Sequence, residues 1–599
     1  MQKTVRKILS FGLALLFCSP AFATTYIVDI AGNDANDGLT LGTAWATIEH
    51  ACDVIVAGDT VRVKGDGDPN TMDYFGANTC EVDGAEGARI FFQAYDMADW
   101  PSLGYKAPYS GGWTNTSGNL WQTTSTIGNS NNDIYGMYAL NTTTGAVTVH
   151  LKEFSTGAVD TNGDFYAYKG TAPADKILIY STVDPNTWTE EIYFVGANTG
   201  STPITPSGDY QTWIGFKTGF SWQGVSITAG TKRFTLMDYE GFYTPNRNIM
   251  VSLAAPPATQ TQYITLINVE THHSYPSWAG YSQAPDGHGI KVGNNSVVAM
   301  SEPLNLLILD SRSHNNDYHG LQISEGSQGI VVHGGSYHDN NLRNHTDGAD
   351  VRIGVQNVGR SYRVSGVETY GTKYGFNFFG DLNDFQASGN YNHDALLANV
   401  YLDSSTTPAS CSEGTCYYIN NVNTLSDDAG VLFDDSERWT VANNTIVKNV
   451  GPQVEFLLNS EGPDAGSLYN NVIIGDTLIE HPSTGPTFTS NYNAFYSTQP
   501  TPFVHEGVAY NFADWKTQTS QDANSINSDF TAQFVDYTNG NYAITSASTS
   551  LKDAGLSISA IKRDYRRLKR PQGAGYSIGA FEEGGAVSFQ GLTLEGVTV

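Results

Sequence analysis

Three segments of the chain fall into one register: Asp286-Gly-His-Gly-Ile-Lys-Val292, Asp317-Tyr-His-Gly-Leu-Gln-Ile323 and Asp347-Gly-Ala-Asp-Val-Arg-Ile353. Each ends in apolar–polar–apolar alternation, the period of two expected of a strand with one buried face. The alternation returns at Phe376-Asn377-Phe378, Val400-Tyr401-Leu402, Val431-Leu432-Phe433 and Val454-Glu455-Phe456. The middle residues of the seven triplets are 31, 30, 25, 24, 31 and 23 positions apart. Such spacing, with one to three strands per repeat, suits a parallel β-helix, in which each coil buries its apolar face against the next. A β-sandwich would show shorter strand spacing and hairpin turns. With 62 Gly, 34 Tyr and 27 Phe, the composition favours strands and turns and excludes a helical bundle. A length of 599 residues, which would otherwise suggest several domains, reads as one long solenoid.

The N-terminus points to export. Lys3, Arg6 and Lys7 precede an apolar run from Ile8 to Phe17, and Ala21-Phe22-Ala23 offers a cleavage site, so residues 1–23 read as a signal peptide. No later stretch is long and apolar enough to span a membrane. Cys52, Cys80, Cys411 and Cys416 then remain, an even number in an oxidising compartment, and proximity pairs them Cys52–Cys80 and Cys411–Cys416. Beyond the leader we expect a cap and first coils over 24–95 and an inserted β-rich module over 96–205, where Trp100, Trp113, Trp121 and Trp188 sit among Gly, Ser, Asn and Thr. The central helix should run over 206–500, C-terminal coils and a closing motif over 501–585, and a tail over 586–599.

Two segments carry a family resemblance. Tyr26-Ile-Val-Asp-Ile-Ala-Gly-Asn-Asp-Ala-Asn-Asp-Gly38, followed by Ala44-Trp-Ala-Thr-Ile48 and Ala57-Gly-Asp-Thr-Val-Arg-Val63, resembles the N-terminal cap and first coil of secreted right-handed parallel β-helix proteins. Arg570-Pro-Gln-Gly-Ala-Gly-Tyr-Ser-Ile-Gly-Ala-Phe-Glu582 is similar to their closing motif. Many members are polysaccharide lyases or glycoside hydrolases and some are not enzymes, so the resemblance specifies a fold more closely than a reaction.

Charge sets the partner. At a net charge of −29 the chain should bind neither nucleic acid nor an anionic membrane. Its cations and histidines nevertheless gather locally: nine of 13 His lie between residues 272 and 393, with Lys291, Arg312, Arg352, Arg363 and Lys373. In the coil register Asp286, Asp317 and Asp347 form one column, His288 and His319 another, and Lys291, Gln322 and Arg352 a third that points outward. His272, His314, His338, Tyr370 and His393 stack in the preceding turn. Adjacent strands lie about 4.8 Å apart, so these residues are neighbours in space.

Three functions fit these columns. A uronate lyase must neutralise the substrate carboxylate and remove the proton beside it. Lys291 and Arg352 would grip the carboxylate and His319, on the coil between them, would be the base, with His288 a further catalytic candidate. Asp286, Asp317, Gln322, His338, Tyr370 and Lys373 would bind substrate. Asp347-Gly-Ala-Asp350 is similar to the Asp-Gly-x-Asp run that supplies Ca2+ ligands in some β-helix pectate lyases, which makes Asp347 and Asp350 the metal candidates. The Lys those enzymes carry on a later coil falls near Asn377 here, a departure from the pattern. An inverting glycoside hydrolase would use Asp286, Asp317 and Asp347 instead, Asp286 and Asp347 being two coils apart, roughly 9.6 Å by the strand spacing. A non-catalytic carbohydrate-binding or adhesive β-helix is the third. Stacked Asp residues also bond backbone N–H groups in turns, and a His column also serves as a structural ladder. The preferred expectation is a secreted, monomeric lyase acting on an extracellular polysaccharide.

Overall fold

The structure, a computed structural model, describes residues 23–584 apart from 126–133, 154–155, 169–174, 197–201, 254–258, 275–286, 294–302, 325–326, 343, 404–410, 412–415, 435–437, 457–463 and 482–486. The expected leader and tail thus lie almost wholly outside the described residues. The rest is a right-handed parallel β-helix whose strands return to three faces. The first face opens with Thr25–Val28, Thr60–Val63 and Ile90–Ala94, continues through Gln211–Gly219, Thr235–Phe242 and Thr265–His272, and ends at Thr487–Asn491. The second consists of short strands such as Arg312–His314, Ser336–His338, Glu368–Tyr370 and Tyr391–His393. The third carries Arg247–Val251, His288–Val292, Leu321–Ser324 and the starts of Ala349–Ser365 and Tyr374–Ser388.

All seven repeat triplets lie on the third face in one unbroken register. Lys291 pairs with Gln322, Gln322 with Arg352, Arg352 with Asn377, Asn377 with Tyr401, Tyr401 with Leu432 and Leu432 with Glu455. The flanking apolar residues, among them Ile290, Leu321, Ile323, Val351, Ile353 and Phe376, are fully buried in one continuous core. Each such side chain contributes about 1.5–3 kcal/mol on leaving water, which is why the alternation could specify the register.

The corners use asparagine twice. At Asn420-Asn421, Asn443-Asn444 and Asn470-Asn471 the first residue turns the chain with φ of 56°, 55° and 55°, a left-handed conformation that Asn tolerates. The second projects inward and joins a buried ladder, Asn390, Asn421, Asn444, Asn471 and Asn493, linked amide to amide at 3.0–3.1 Å.

The expected interruption begins after Gly104, because Ser102–Gly104 still pairs with the solenoid strands at Tyr74 and Lys217. Two antiparallel sheets follow, Ile134–Leu140 between Val147–His150 and Glu191–Gly196, and a four-stranded one centred on Asp175–Tyr180 and Leu120–Ser125. Trp113, Phe165, Ile177, Ile179 and Phe194 fill the core between them. Cys52–Cys80 and Cys411–Cys416 are disulfide-bonded, as their spacing suggested.

The C-terminal end differs from simple further coils. The helix Phe512–Thr519, capped by the Asn511 side chain, plugs the last coil with its buried Trp515. The chain then folds back along the outside of the second face. There Phe530, Phe534, Tyr542, Ile578 and Phe581 cover apolar residues of successive coils, Val422 and Val472 in one register column and Val447 and Ile474 in another. The closing motif is pinned by a buried ion pair, Arg570 to Glu582 at 2.8 Å, and by Asn443 donating to the Ser577 carbonyl at 2.9 Å. Apolar side chains on the outside of a strand need such a cover.

Candidate active site

The third-face strands begin with a kink that sets the side-chain directions. A Cβ placed on Gly289 would lie 2.0 Å from the Ser313 hydroxyl, and one on Gly320 would lie 2.6 Å from the Asn340 amide. These positions therefore face the crowded interior. Their preceding neighbours His288 and His319 turn outward, and so do Lys291 and Gln322 three residues on. On the next coil Asp350 occupies the inward position. Its Oδ1 accepts from Asn340 Nδ2 at 2.9 Å and from the Thr372 hydroxyl at 2.5 Å, and burial pushes its carboxyl well above the usual range. Asp350 ties down a corner through these two bonds.

The outward residues converge. Lys291 Nζ lies 3.4 Å from His288 Nε2, and the His288 and His319 rings stack 5.3 Å apart at 12°. The Tyr318 ring packs on both, 3.9 Å from His319 and 5.2 Å from His288. Arg352 Nη1 donates to Asp347 Oδ2 at 2.5 Å and stands 3.5 Å from His319 Nε2, and the Tyr318 hydroxyl donates to the other Asp347 oxygen. The cluster is outward in register yet closed over: His288 and His319 are 0% exposed and Lys291 1%. Burial, then Arg352, His288 and Lys291, hold the His319 pKa well below its ordinary value, so the ring is neutral. Its Nδ1 accepts from the Ala349 N–H at 3.0 Å, a normal bond, whereas its contacts to the Ala349 carbonyl and Arg352 are 3.4 and 3.5 Å. The proton therefore sits on Nε2, and His319 presents a donor to the site.

Two amides beside these cations are unsatisfied. Among the described residues Asn377, fully buried and in register with Arg352, has no hydrogen-bond partner for either Oδ1 or Nδ2, and Gln322 Oε1 has none. Buried polar atoms normally find partners, so these are positioned for something that binds.

The remaining expected site residues separate. Asp317 is buried, with Oδ2 3.6 Å from His345 Nε2, and Asp286 lies outside the described residues. Lys373 donates to the Thr346 carbonyl at 2.8 Å, at the rim beside Asp347. His338 and Tyr370 belong elsewhere: they lie on the second face in a ring ladder that runs His272, His314, His338, Tyr370, His393, with centroids 5.2, 4.9, 4.4 and 4.9 Å apart. The stacking order follows the expectation, but the rings end strands instead of occupying a turn. The metal pair does not fit calcium. Both Asp347 oxygens are engaged by Arg352 and Tyr318, and Asp350 faces inward, where Asn340 and Thr372 hold its Oδ1. Among the described residues no group of three or more His, Cys, Asp or Glu is placed to hold one. Reasoning from the repeat did not pick out Tyr318 or His345; Tyr318 stood in the register between Asp317 and His319, where an aromatic replaces the Gly of the coils on either side.

No protein-family model matches the chain, and no curated protein does. Among solved structures it is similar to XylC in complex with xylose, at 12% identity and a TM-score of 0.52, over 94% of this chain and 99% of that one. Pectate lyase Pel9A is similar at 13% identity and a TM-score of 0.42, over 94% and 98%. A GH136 lacto-N-biosidase from Eubacterium ramulus is similar at 13% and 0.39, over 82% and 66%. At 12% identity the likeness to XylC concerns the fold alone. No described helix is long and apolar enough to cross a membrane.

Proposed function

We propose that this chain is an exported, carbohydrate-active enzyme that cleaves a uronic-acid-containing polysaccharide by β-elimination at the third-face cluster. The observation that carries the reading is the convergence of Lys291 and Arg352 with two histidines and the open amides of Gln322 and Asn377. Cations and amide donors suit a carboxylate, whose neutralisation acidifies the neighbouring C–H. Lys291 faces His288 Nε2; when the substrate carboxylate draws the ammonium away, that nitrogen has a lone pair free for the proton. The C–H electrons form the double bond, the glycosidic C–O bond breaks, and the leaving oxygen takes a proton from the His319 Nε2–H or from water. Asp347 orients Arg352, and Tyr318 fixes both rings.

The test is incubation with pectate, alginate and neutral glycans while following the ultraviolet absorbance of unsaturated uronate. Absorbance that rises with a uronate polymer and is lost in Lys291→Ala supports elimination; new reducing ends without absorbance remove it.

One observation favours hydrolysis as a second reading. Its carboxylates are not the Asp286, Asp317 and Asp347 column, since Asp347 is tied to Arg352 and Asp317 faces His345. Farther along the third face, burial, with Asp428 and Glu480 adding to it, pushes the Glu455 carboxyl up to about 7. Glu455 and Glu480 are register neighbours, and a protonated acid beside a carboxylate is the pairing that glycoside hydrolysis uses. Loss of reducing-end production in Glu455→Gln, with Lys291→Ala unaffected, would select it.

A further inference from the structure

One segment near the C-terminus departs from the acidic character of the molecule. From Ile561 to Arg570 the sequence runs Ile561-Lys-Arg-Asp-Tyr-Arg-Arg-Leu-Lys-Arg570, placing six of the 31 basic residues within ten positions of a chain whose net charge is −29. Two of the six are internal struts: Arg570 is buried on Glu582, and Arg566 donates to the Glu582 carbonyl at 2.5 Å. Lys562, Arg563 and Arg567 are exposed and line one wall of a cleft of about 950 Å³ between this segment and the corner joining the first and second faces.

The opposite wall consists of five successive corner turns, represented by Asp310, Gly334, Gly366, Gly389 and Asn420. At about 4.8 Å per coil the five turns span roughly 19 Å along the solenoid, and the walls meet where Asn420 donates to the Arg563 carbonyl at 2.8 Å and where Arg567 reaches His333. At Gly366 and Gly389 the wall is bare backbone, where a Cβ would meet nothing nearer than 3.5 Å, and His333, Ser365, Glu368, Gln386 and Tyr391 line the rest. Arg567 is held at φ 67°, a left-handed conformation that favours glycine, with Nη2 3.0 Å from the His333 ring nitrogens. Arg563 donates to the Arg567 carbonyl at 2.8 Å, which fixes the two guanidinium stems together. Of the cleft's carboxylates, Asp564 accepts from the Leu568 and Glu582 N–H groups and Glu368 from His393. Asp310 stands at one end.

We propose that this cleft is a binding site for a segment of anionic glycan, lying along the coil axis and separate from the third-face cluster. A groove of mixed apolar and polar lining with cations on one wall suits the sugar rings and charges of a flexible chain bearing one carboxylate or sulfate per sugar. A duplex or a bilayer presents a broad anionic surface, which the acidic remainder of the molecule repels. The site does not depend on the reaction assigned to the third face. Its role is to hold a polymer on the enzyme, and short substrates would not need it.

The experiment is calorimetric titration of full-length Lys291→Ala, in which turnover is blocked, with oligogalacturonate, a sulfated oligosaccharide, a neutral oligosaccharide and duplex DNA. The triple variant Lys562→Ser, Arg563→Ser, Arg567→Gly is titrated alongside, with unchanged thermal unfolding as the control for folding. We expect at least tenfold weaker binding of an anionic oligosaccharide in the triple variant, weakening with salt in the parent, and none of the neutral sugar. The uronate and sulfate arms identify the anionic group. Equal affinity in parent and variant, preference for DNA, or absence of anionic-glycan binding in the parent overturns the proposal. Charge reversal by Lys562→Glu and Arg563→Glu provides a second test should the triple variant unfold. Failure of elimination is read separately, as absent ultraviolet absorbance in the wild type.

Discussion

Inside one corner of the solenoid Asn390, Asn421, Asn444, Asn471 and Asn493 stack coil upon coil, and each amide finds its neighbour. Outside the third face Lys291, Gln322, Arg352 and Asn377 stack by the same geometry, yet the Asn377 amide and the Gln322 oxygen have no hydrogen-bond partner among the described residues. Both columns are products of one repeat. The inner one is satisfied and therefore belongs to the fold. The outer one gathers charge and open hydrogen-bonding capacity under cover, which costs stability unless a ligand completes it.

Breaking the outer column should show first in rate. His288→Gln is expected to slow elimination by about 10²–10⁴-fold, roughly 3–5 kcal/mol of barrier, with little change in the unfolding midpoint. Initial rates on the responsive polymer check this, and a rate within a few-fold of wild type would remove His288 as the base.

Paired amide substitutions sharpen the contrast. Asn444 donates to the Tyr418 carbonyl and to Asn471, and accepts from the backbone and side chain of Asn421. Asn444→Ala leaves those groups unpaired and should cost about 2–4 kcal/mol in denaturant unfolding. Asn377→Leu removes an amide that has no partner, so stability should change by less than about 1 kcal/mol, in the stabilising direction, while activity falls. A large loss of stability in Asn377→Leu would assign it to the scaffold.

The smallest effect concerns the ring ladder and pH. Burial lowers the His314 pKa, but its bond to Glu270 at 3.0 Å and that to Asn315 outweigh burial and hold it above the ordinary 6.5. His393, paired with Glu368 and Asp394, behaves likewise. A raised folded-state value means that the pair's contribution is fully present below pH 6.5 and is lost as pH rises through the folded value. With Glu270 40% exposed, the contribution should be only a few tenths of a kcal/mol. Thermal unfolding across this window should fall less steeply in His314→Gln than in wild type. An identical slope would show that the ladder contributes stacking alone.

Much of the fold was legible. The triplets from Lys291 to Glu455 lie in one register because apolar side chains on either side of each middle residue can be buried in only one phase. The Asn doublets were also visible as text, although their meaning, a turn residue followed by a ladder residue, needs the corner geometry. The site was legible as columns: His288, Lys291, His319, Gln322 and Arg352 do share one face. What the columns could not reveal is depth. Asp347 and Asp350 are three residues apart and suggest a shared ion, but the kink at the strand entrance sends one carboxylate out to Arg352 and the other into the core. His338 and Tyr370 lie in the same stretch of chain as the site but around a corner from it.

The chain by itself determined a solenoid, its register, its disulfide pairs and the region where histidines and cations concentrate, because these depend on side-chain period and on local turn chemistry. The tertiary structure decided which outward residues are buried, which carboxylates are already paired, and that the C-terminal segment returns to lie beside residues 310–420. Those outcomes depend on what covers each face and on contacts between positions more than a hundred residues apart, for which no local periodicity exists.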